Sequence, residues 1–115
     1  YNYANALQRQ GKHRLAIVNY SRAVKLRPDH SSLHHNLAVS LATLGELDKA
    51  IKSLQESIRL DPNQGDAHYN LGNCWFMRKD YEAAARCFHR VLEIQPNHAG
   101  ASKNLETILK SLPVK

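Results

Sequence analysis

The sequence predicts an all-α fold of antiparallel helix-turn-helix repeats stacked in series, and three observations carry that prediction. Three prolines, Pro28, Pro62 and Pro96, stand 34 residues apart, and their contexts match as AVKLRPDH, SIRLDPNQ and VLEIQPNH. Other columns keep the same period: Ala16, Ala50 and Ala84 are small, Tyr20, Leu54 and Phe88 are large, and Ala23, Ser57 and Val91 form a third column. Leu7, Leu41 and Trp75 align, as do Tyr3, Leu37, Leu71 and Leu105. Within a period, apolar residues recur every three to four positions, at Leu33, Leu37, Leu41 and Leu44 and again at Ala50, Ile51, Leu54 and Ile58. That spacing is the period of an α-helix with one buried face. A single repeat of this length cannot bury its apolar face alone, so neighbours must stack.

Taken in order, the pattern predicts helices over 2–10, 13–26, 32–44, 47–60, 66–78, 81–94 and 99–111. Gly11 and Gly45 fall at the junction within a helix pair, where a residue able to take positive φ closes the first helix. Lys79 holds that column in the third copy. Each proline ends a pair, because the residue before a proline is pushed out of the helical region. Asn63 and Asn97 follow their prolines and suit turns. The alanine column marks a close helix crossing, where a larger side chain would overpack the contact at a cost of about 1–3 kcal/mol. Tyr20, Leu54 and Phe88, one turn on, fill the space where the pair diverges. The organisation is a single array over 1–115. Residues 1–30 form a first repeat without its opening residues, 31–64 a second, 65–98 a third, and 99–112 a fourth first helix or a capping helix.

A hydrophobic fraction of 43% and a mean hydropathy of −0.53 are those of an ordinary folded domain and argue against disorder. The net charge is +6, and its excess sits in residues 1–30, where Arg9, Lys12, Arg14, Arg22, Lys25 and Arg27 face one acid, Asp29. These cations come singly and read as a solvated helix surface, so no nucleic-acid partner is expected; steep salt dependence of binding would be its mark. Cys74 and Cys87, thirteen residues apart, match no zinc-finger spacing and read as free thiols of a reducing, cytoplasmic compartment. The seven histidines are scattered, and adjacent His34 and His35 cannot readily aim at one ion, so no metal is expected. No 18-residue apolar run predicts membrane insertion. No Gly-rich phosphate loop, HExxH or nucleophile elbow is present, so no catalytic residue and no cofactor are assigned, and the chain reads as no enzyme. The pattern opens in mid-repeat at Tyr1, which suggests a piece of a larger protein whose catalytic domain, if any, lies elsewhere.

These columns resemble the tetratricopeptide repeat. The third copy matches that family best, with Leu71, Gly72, Trp75, Ala84, Phe88 and Pro96, and the resemblance covers essentially the whole chain. It implies a right-handed superhelix whose first helices line a concave groove, and a protein-protein interaction module that takes an extended peptide or partner segment there. The family's groove positions fall on Tyr1, Asn2, Asn5, Gln8 and Arg9, then on Ser32, His35, Asn36, Val39, Ala42 and Thr43. In the third copy they fall on Asp66, Tyr69, Asn70, Asn73, Phe76 and Met77, and in the last helix on Gly100, Lys103, Asn104 and Thr107. Among these, the expected peptide-binding residues are Asn2, Asn5, Arg9, His35, Asn36, Tyr69, Asn70, Asn73, Phe76, Met77, Lys103 and Asn104.

Asn2, Asn36, Asn70 and Asn104 form a column four times in register. A carboxamide both donates and accepts, which is what a peptide backbone requires. The column resembles the asparagine ladder of the O-linked N-acetylglucosamine transferase. The competing reading is that these amides bond a neighbouring helix. Chaperone-binding repeats clamp a terminal carboxylate with lysine and arginine. The matching positions here hold Tyr1, Asn5, Asn36, Asp66 and Asn70, which supply no cation. The expected state is a monomer, with end-to-end self-association through exposed repeat ends as the alternative function.

Overall fold

The computed structural model describes residues 2–111, and for Asn2 and Ser111 the backbone alone. Seven helices follow one another: α1 (Asn2–Arg9), α2 (His13–Leu26), α3 (Ser31–Thr43), α4 (Leu47–Leu60), α5 (Gly65–Met77), α6 (Tyr81–Ile94) and α7 (Ala99–Ser111). No strand occurs among the described residues. The helices form two compact units, one ending at Pro62 and the other starting at Asn63. In the first, α1 packs on α2, α2 on α3 and α3 on α4; in the second, α5 packs on α6 and α6 on α7.

The turn inside each helix pair is built three times to one plan. Lys12 N–H bonds Leu7 C=O and Gly11 N–H bonds Gln8 C=O. Glu46 to Leu41 with Gly45 to Ala42, and Asp80 to Trp75 with Lys79 to Phe76, repeat the pair. Nested bonds of this kind satisfy the last carbonyls of a helix and demand a left-handed residue at the turn. Gly11, Gly45 and Lys79 take that role, with φ of 79°, 81° and 67°. The turn also draws the end of each first helix in. α1, α3 and α5 close at Arg9, Thr43 and Met77, one residue before the periodicity predicts, while α3 and α5 open one residue early. The turn between pairs is set by proline: Arg27, Asp61 and Gln95 lie at φ −136°, −143° and −132°, the extended range forced on a residue that precedes proline.

Lys79 is the one described non-glycine residue at positive φ. A side chain there costs ~1–2 kcal/mol, more than the ~0.5–1 kcal/mol that glycine's unfolded-state freedom takes back. Lys79→Gly is therefore expected to stabilise the protein by about 0.5–1 kcal/mol. The check is a higher urea midpoint at unchanged slope.

The predicted columns form the cores. In the first unit Ala4, Leu7, Ala16, Tyr20 and Leu33 cluster, with Ala23, Val24 and Leu37 against them. Ala50, Ile51 and Leu54 are buried on α4. In the second unit Ala84, Phe88, Val91, Ala101 and Ile108 cluster, backed by Tyr69, Trp75, Phe76 and Leu105. Ser57 in the third column is fully buried, and its hydroxyl donates to Ser31 C=O at 2.9 Å, so the polar group is satisfied. Tyr3 departs from its column: it is 65% exposed, whereas Leu37 is half-buried and Leu71 buried. Leu37 lies beside Ile17 and Ser21 of α2.

Candidate peptide-binding faces

In the first unit the candidate residues stand on α1 and α3. Tyr20 is fully buried, and its phenol needs a partner. It donates to Asn5 Oδ1, which also accepts from Asn36 Nδ2 at 3.4 Å. Gln8 Nε2 donates to Asn36 C=O and to Ser40 Oγ, both at 2.8 Å, and His13 Nδ1 lies 3.3 Å from the same hydroxyl. Gln8 and Asn5 thus tie α1 to α3. Arg9 is exposed at the end of α1, while His35 and Asn36 are half-buried on α3. Tyr1 and the Asn2 side chain lie outside the described residues.

In the second unit the same bond recurs. Asn104 Nδ2 donates to Asn73 Oδ1 at 3.1 Å and lies 3.5 Å from Tyr69 Oη. Asn5 and Asn36 are 31 residues apart, as are Asn73 and Asn104. An amide in the ninth position of one repeat meets an amide in the sixth position of the next. Asn36 and Asn104, two members of the 34-residue column, therefore bond a neighbouring helix. The carboxamides have capacity beyond that bond: Asn36 Nδ2 uses one N–H, Asn104 Nδ2 donates to both Asn73 Oδ1 and Tyr69 Oη, and neither Oδ1 accepts a hydrogen bond from a described residue.

The aromatic residues expected on this face are divided. Tyr69 is half-buried, its ring 4.5 Å from His98 and 5.8 Å from Phe88 between centroids. Its hydroxyl fills space left by Gly100, where a Cβ would come within 2.7 Å of it. Phe76 is half-buried and meets Tyr81 edge-on at 5.5 Å. Met77 is 53% exposed, Lys103 is exposed, and Asn70 and Asn73 are half-buried. The face of α5 and α7 thus offers one open apolar side chain, two aromatic edges and several amides.

Three histidines hold helices in place. His34 is buried, and its Nε2 donates to Pro28 C=O at 2.8 Å. His98 Nδ1 accepts from Ala101 N–H at 3.0 Å at the start of α7, and His13 reaches Ser40. Among the described residues no three of His, Cys, Asp and Glu gather where one metal ion would sit. Burial pushes the Cys74 and Cys87 thiols up to about 11. Against an ordinary thiol this lowers the thiolate fraction near pH 8 by roughly a hundredfold. Alkylation by iodoacetamide at that pH is expected to be slower than for free cysteine by about that factor, and mass spectrometry over time measures it.

The tetratricopeptide repeat profile matches residues 1–65 and again residues 65–98. The chain belongs to the tetratricopeptide repeat family. Solved structures agree in fold. The first TPR of Spaghetti (RPAP3) bound to HSP90 peptide SRMEEVD superposes with a TM-score of 0.93 at 25% identity, covering 96% of this chain and 87% of that one. The TPR domain of Arabidopsis OM64 gives 0.92 at 20% identity, over 95% and 90% of the two chains. Over 46 residues, 40% of its length, the chain is 44% identical to the Protein O-mannosyl-transferase TMTC1 of Mus musculus, of which the match spans 5%. No described helix is long and apolar enough to cross a membrane.

Proposed function

We propose that this repeat chain is a protein-interaction module whose first helices present amides and apolar edges to an extended partner segment. The observation that carries the reading is the repeated Asn–Asn bond, Asn5 with Asn36 and Asn73 with Asn104. It orients carboxamides on the first-helix faces of both units and leaves hydrogen-bonding capacity beyond it. An extended peptide offers one N–H and one C=O per residue, which such amides complement. The structural relative that holds the peptide SRMEEVD supports peptide binding as the mode. Its ligand is acidic, whereas this chain sets Asn5, Asn36, Asp66 and Asn70 at the family's clamp positions. The preferred partner is therefore read through its backbone and an apolar contact to Met77, not through a terminal carboxylate.

The test starts from a phage-displayed library of random peptides. A selected peptide is titrated calorimetrically against the wild type and against Asn70→Ala/Met77→Ala. Each amide bond nets about 0.5–1.5 kcal/mol against water. Together with the apolar contact, the double variant is expected to lose about five- to 150-fold in affinity. Its melting temperature should hold, since neither residue is in a core cluster. The peptide SRMEEVD is expected to show no saturable binding. Tight binding of SRMEEVD, or unchanged affinity in the double variant, would sink the reading.

A further inference from the structure

A cleft between two second helices lies apart from the first-helix faces. α2 and α4 each pack on α3, and between them opens a depression of about 370 Å³. Leu37 and Leu41 of α3 form its floor, Ile17 and Ser21 of α2 one wall, and Lys52 and Ser53 of α4 the other. All three helices belong to the first unit, so floor and walls are complete within it and the cleft is not an uncovered stacking end.

Size, register, hydrogen bonding and charge select the occupant. The volume equals a cube about 7 Å on edge, whereas an α-helix with its side chains is about 10–12 Å across. A segment therefore enters by single side chains. Ile17 and Ser21 are one turn apart on α2, as are Leu37 and Leu41 on α3, a rise of about 6 Å. Alternate side chains of an extended segment stand about 6.6 Å apart, so two of them meet the two levels of the cleft. Ser21 and Ser53 are half-buried on opposite walls, and neither hydroxyl bonds a described residue. Thr43 and Thr107, by contrast, turn their hydroxyls back to Val39 C=O and Lys103 C=O. The two serines are thus available to an occupant's backbone. A helix satisfies its own backbone, whereas the N–H and C=O groups of an extended segment need partners on burial.

The rim is cationic. Lys49 pairs with Glu46 at 3.5 Å, and Lys52 forms no ion pair with a described residue. Arg14 stands three residues before Ile17 and Lys25 four after Ser21, so both extend the same stripe of α2, one turn beyond each end of the wall. Neither forms an ion pair with a described residue.

We propose that the cleft between α2 and α4 seats an extended acidic segment of a separate partner protein. Along one edge of that segment, at every second position, stand a carboxylate, two apolar side chains and a second carboxylate. The apolar pair enters over Leu37 and Leu41, the carboxylates meet Arg14 and Lys25, and Ser21 and Ser53 bond the backbone between them. The peptide SRMEEVD has its Met and Val three positions apart and lacks this alternation.

The probe is a fluorescein-labelled peptide with the core Glu-Ser-Leu-Ser-Leu-Ser-Glu. One control has lysine for both glutamates; the other has the second leucine moved next to the first. Anisotropy at about 150 mM salt is expected to show saturable binding of the probe. Both controls, and the variant Arg14→Glu/Lys25→Glu, are expected to bind at least about tenfold more weakly. Ser21→Ala/Ser53→Ala is expected to lose at least about fivefold. Its melting temperature should not fall, since alanine favours a helix over serine. Asn70→Ala/Met77→Ala, on the other face, is expected to bind the probe as the wild type does. Absence of saturable binding, equal binding of the control with adjacent leucines, or unchanged affinity in either α2 variant overturns the proposal. Loss of binding in Asn70→Ala/Met77→Ala with none in Ser21→Ala/Ser53→Ala moves the peptide to the first-helix face and overturns it too. So does a dimer in sedimentation that Arg14→Glu/Lys25→Glu dissolves, which makes a second copy the occupant, or tighter binding of duplex DNA than of the probe, lost on charge reversal.

Discussion

Phe88→Ala is expected to destabilise the protein by about 3–5 kcal/mol, the range for emptying a buried aromatic site. Phe88 is fully buried among Ala84, Val91, Ala101 and Ile108, and α5 bears on it from the far side through Gly72. A Cβ on Gly72 would stand 2.8 Å from Phe88 Cε1 and 3.0 Å from Cδ1 and Cζ. Two opposed effects then meet in Gly72→Ala. Overpacking against a ring with no room to yield costs about 1–3 kcal/mol. Replacing glycine inside a helix returns about 1 kcal/mol. The net in the wild type is a loss. In the Phe88→Leu background the clash is relieved, and the same substitution is expected to stabilise by about 1 kcal/mol. The sign change is a coupling between contacting residues, measured by urea denaturation of the two single variants and the double. A Gly72→Ala effect of the same sign and size in both backgrounds would show that the ring does not set the cost.

Ala50→Leu is expected to cost about 1–3 kcal/mol while Ala42→Leu costs under about 0.5 kcal/mol. Helix propensity cannot separate the two, because leucine and alanine differ little within a helix. Position separates them. Ala50 is fully buried in the small-residue column, where α3 and α4 cross. Ala42 is half-exposed on α3, where three added carbons can turn toward solvent. Unequal shifts in urea midpoint at constant slope are the expected reading; equal shifts would count against the crossing as the cause.

Much of the fold was legible because its determinants are local. The prolines stopped α2, α4 and α6 through the φ restriction on the residue before them. The glycines marked the turns after α1 and α3, and the column placed Lys79 in the same left-handed role although its residue type argues against it. The candidate site was less legible. The 34-residue asparagine column stood out, whereas the 31-residue spacing that joins Asn5 to Asn36 and Asn73 to Asn104 carried no meaning until helices lay side by side. Tyr69 and Phe76, expected among the peptide-binding residues, are half-buried: Gly100 makes room for one hydroxyl, and Tyr81 packs edge-on with the other ring. Tyr3 shares a column with Leu37 and Leu71 but is 65% exposed, so column membership alone does not report burial.

The amino-acid sequence by itself determined where this chain is helical, where it turns and which columns, such as Ala16, Ala50 and Ala84, form its cores. Those outcomes depend on residues within about six positions of one another and on a period repeated along the chain. Only the tertiary structure decided which polar groups meet: Gln8 with Asn36 and Ser40, Asn5 with Tyr20, and Asn104 with Asn73. A hydrogen bond needs its partners within about 3 Å and in line. That relation between residues some 15 to 32 positions apart exists only once the helices are packed.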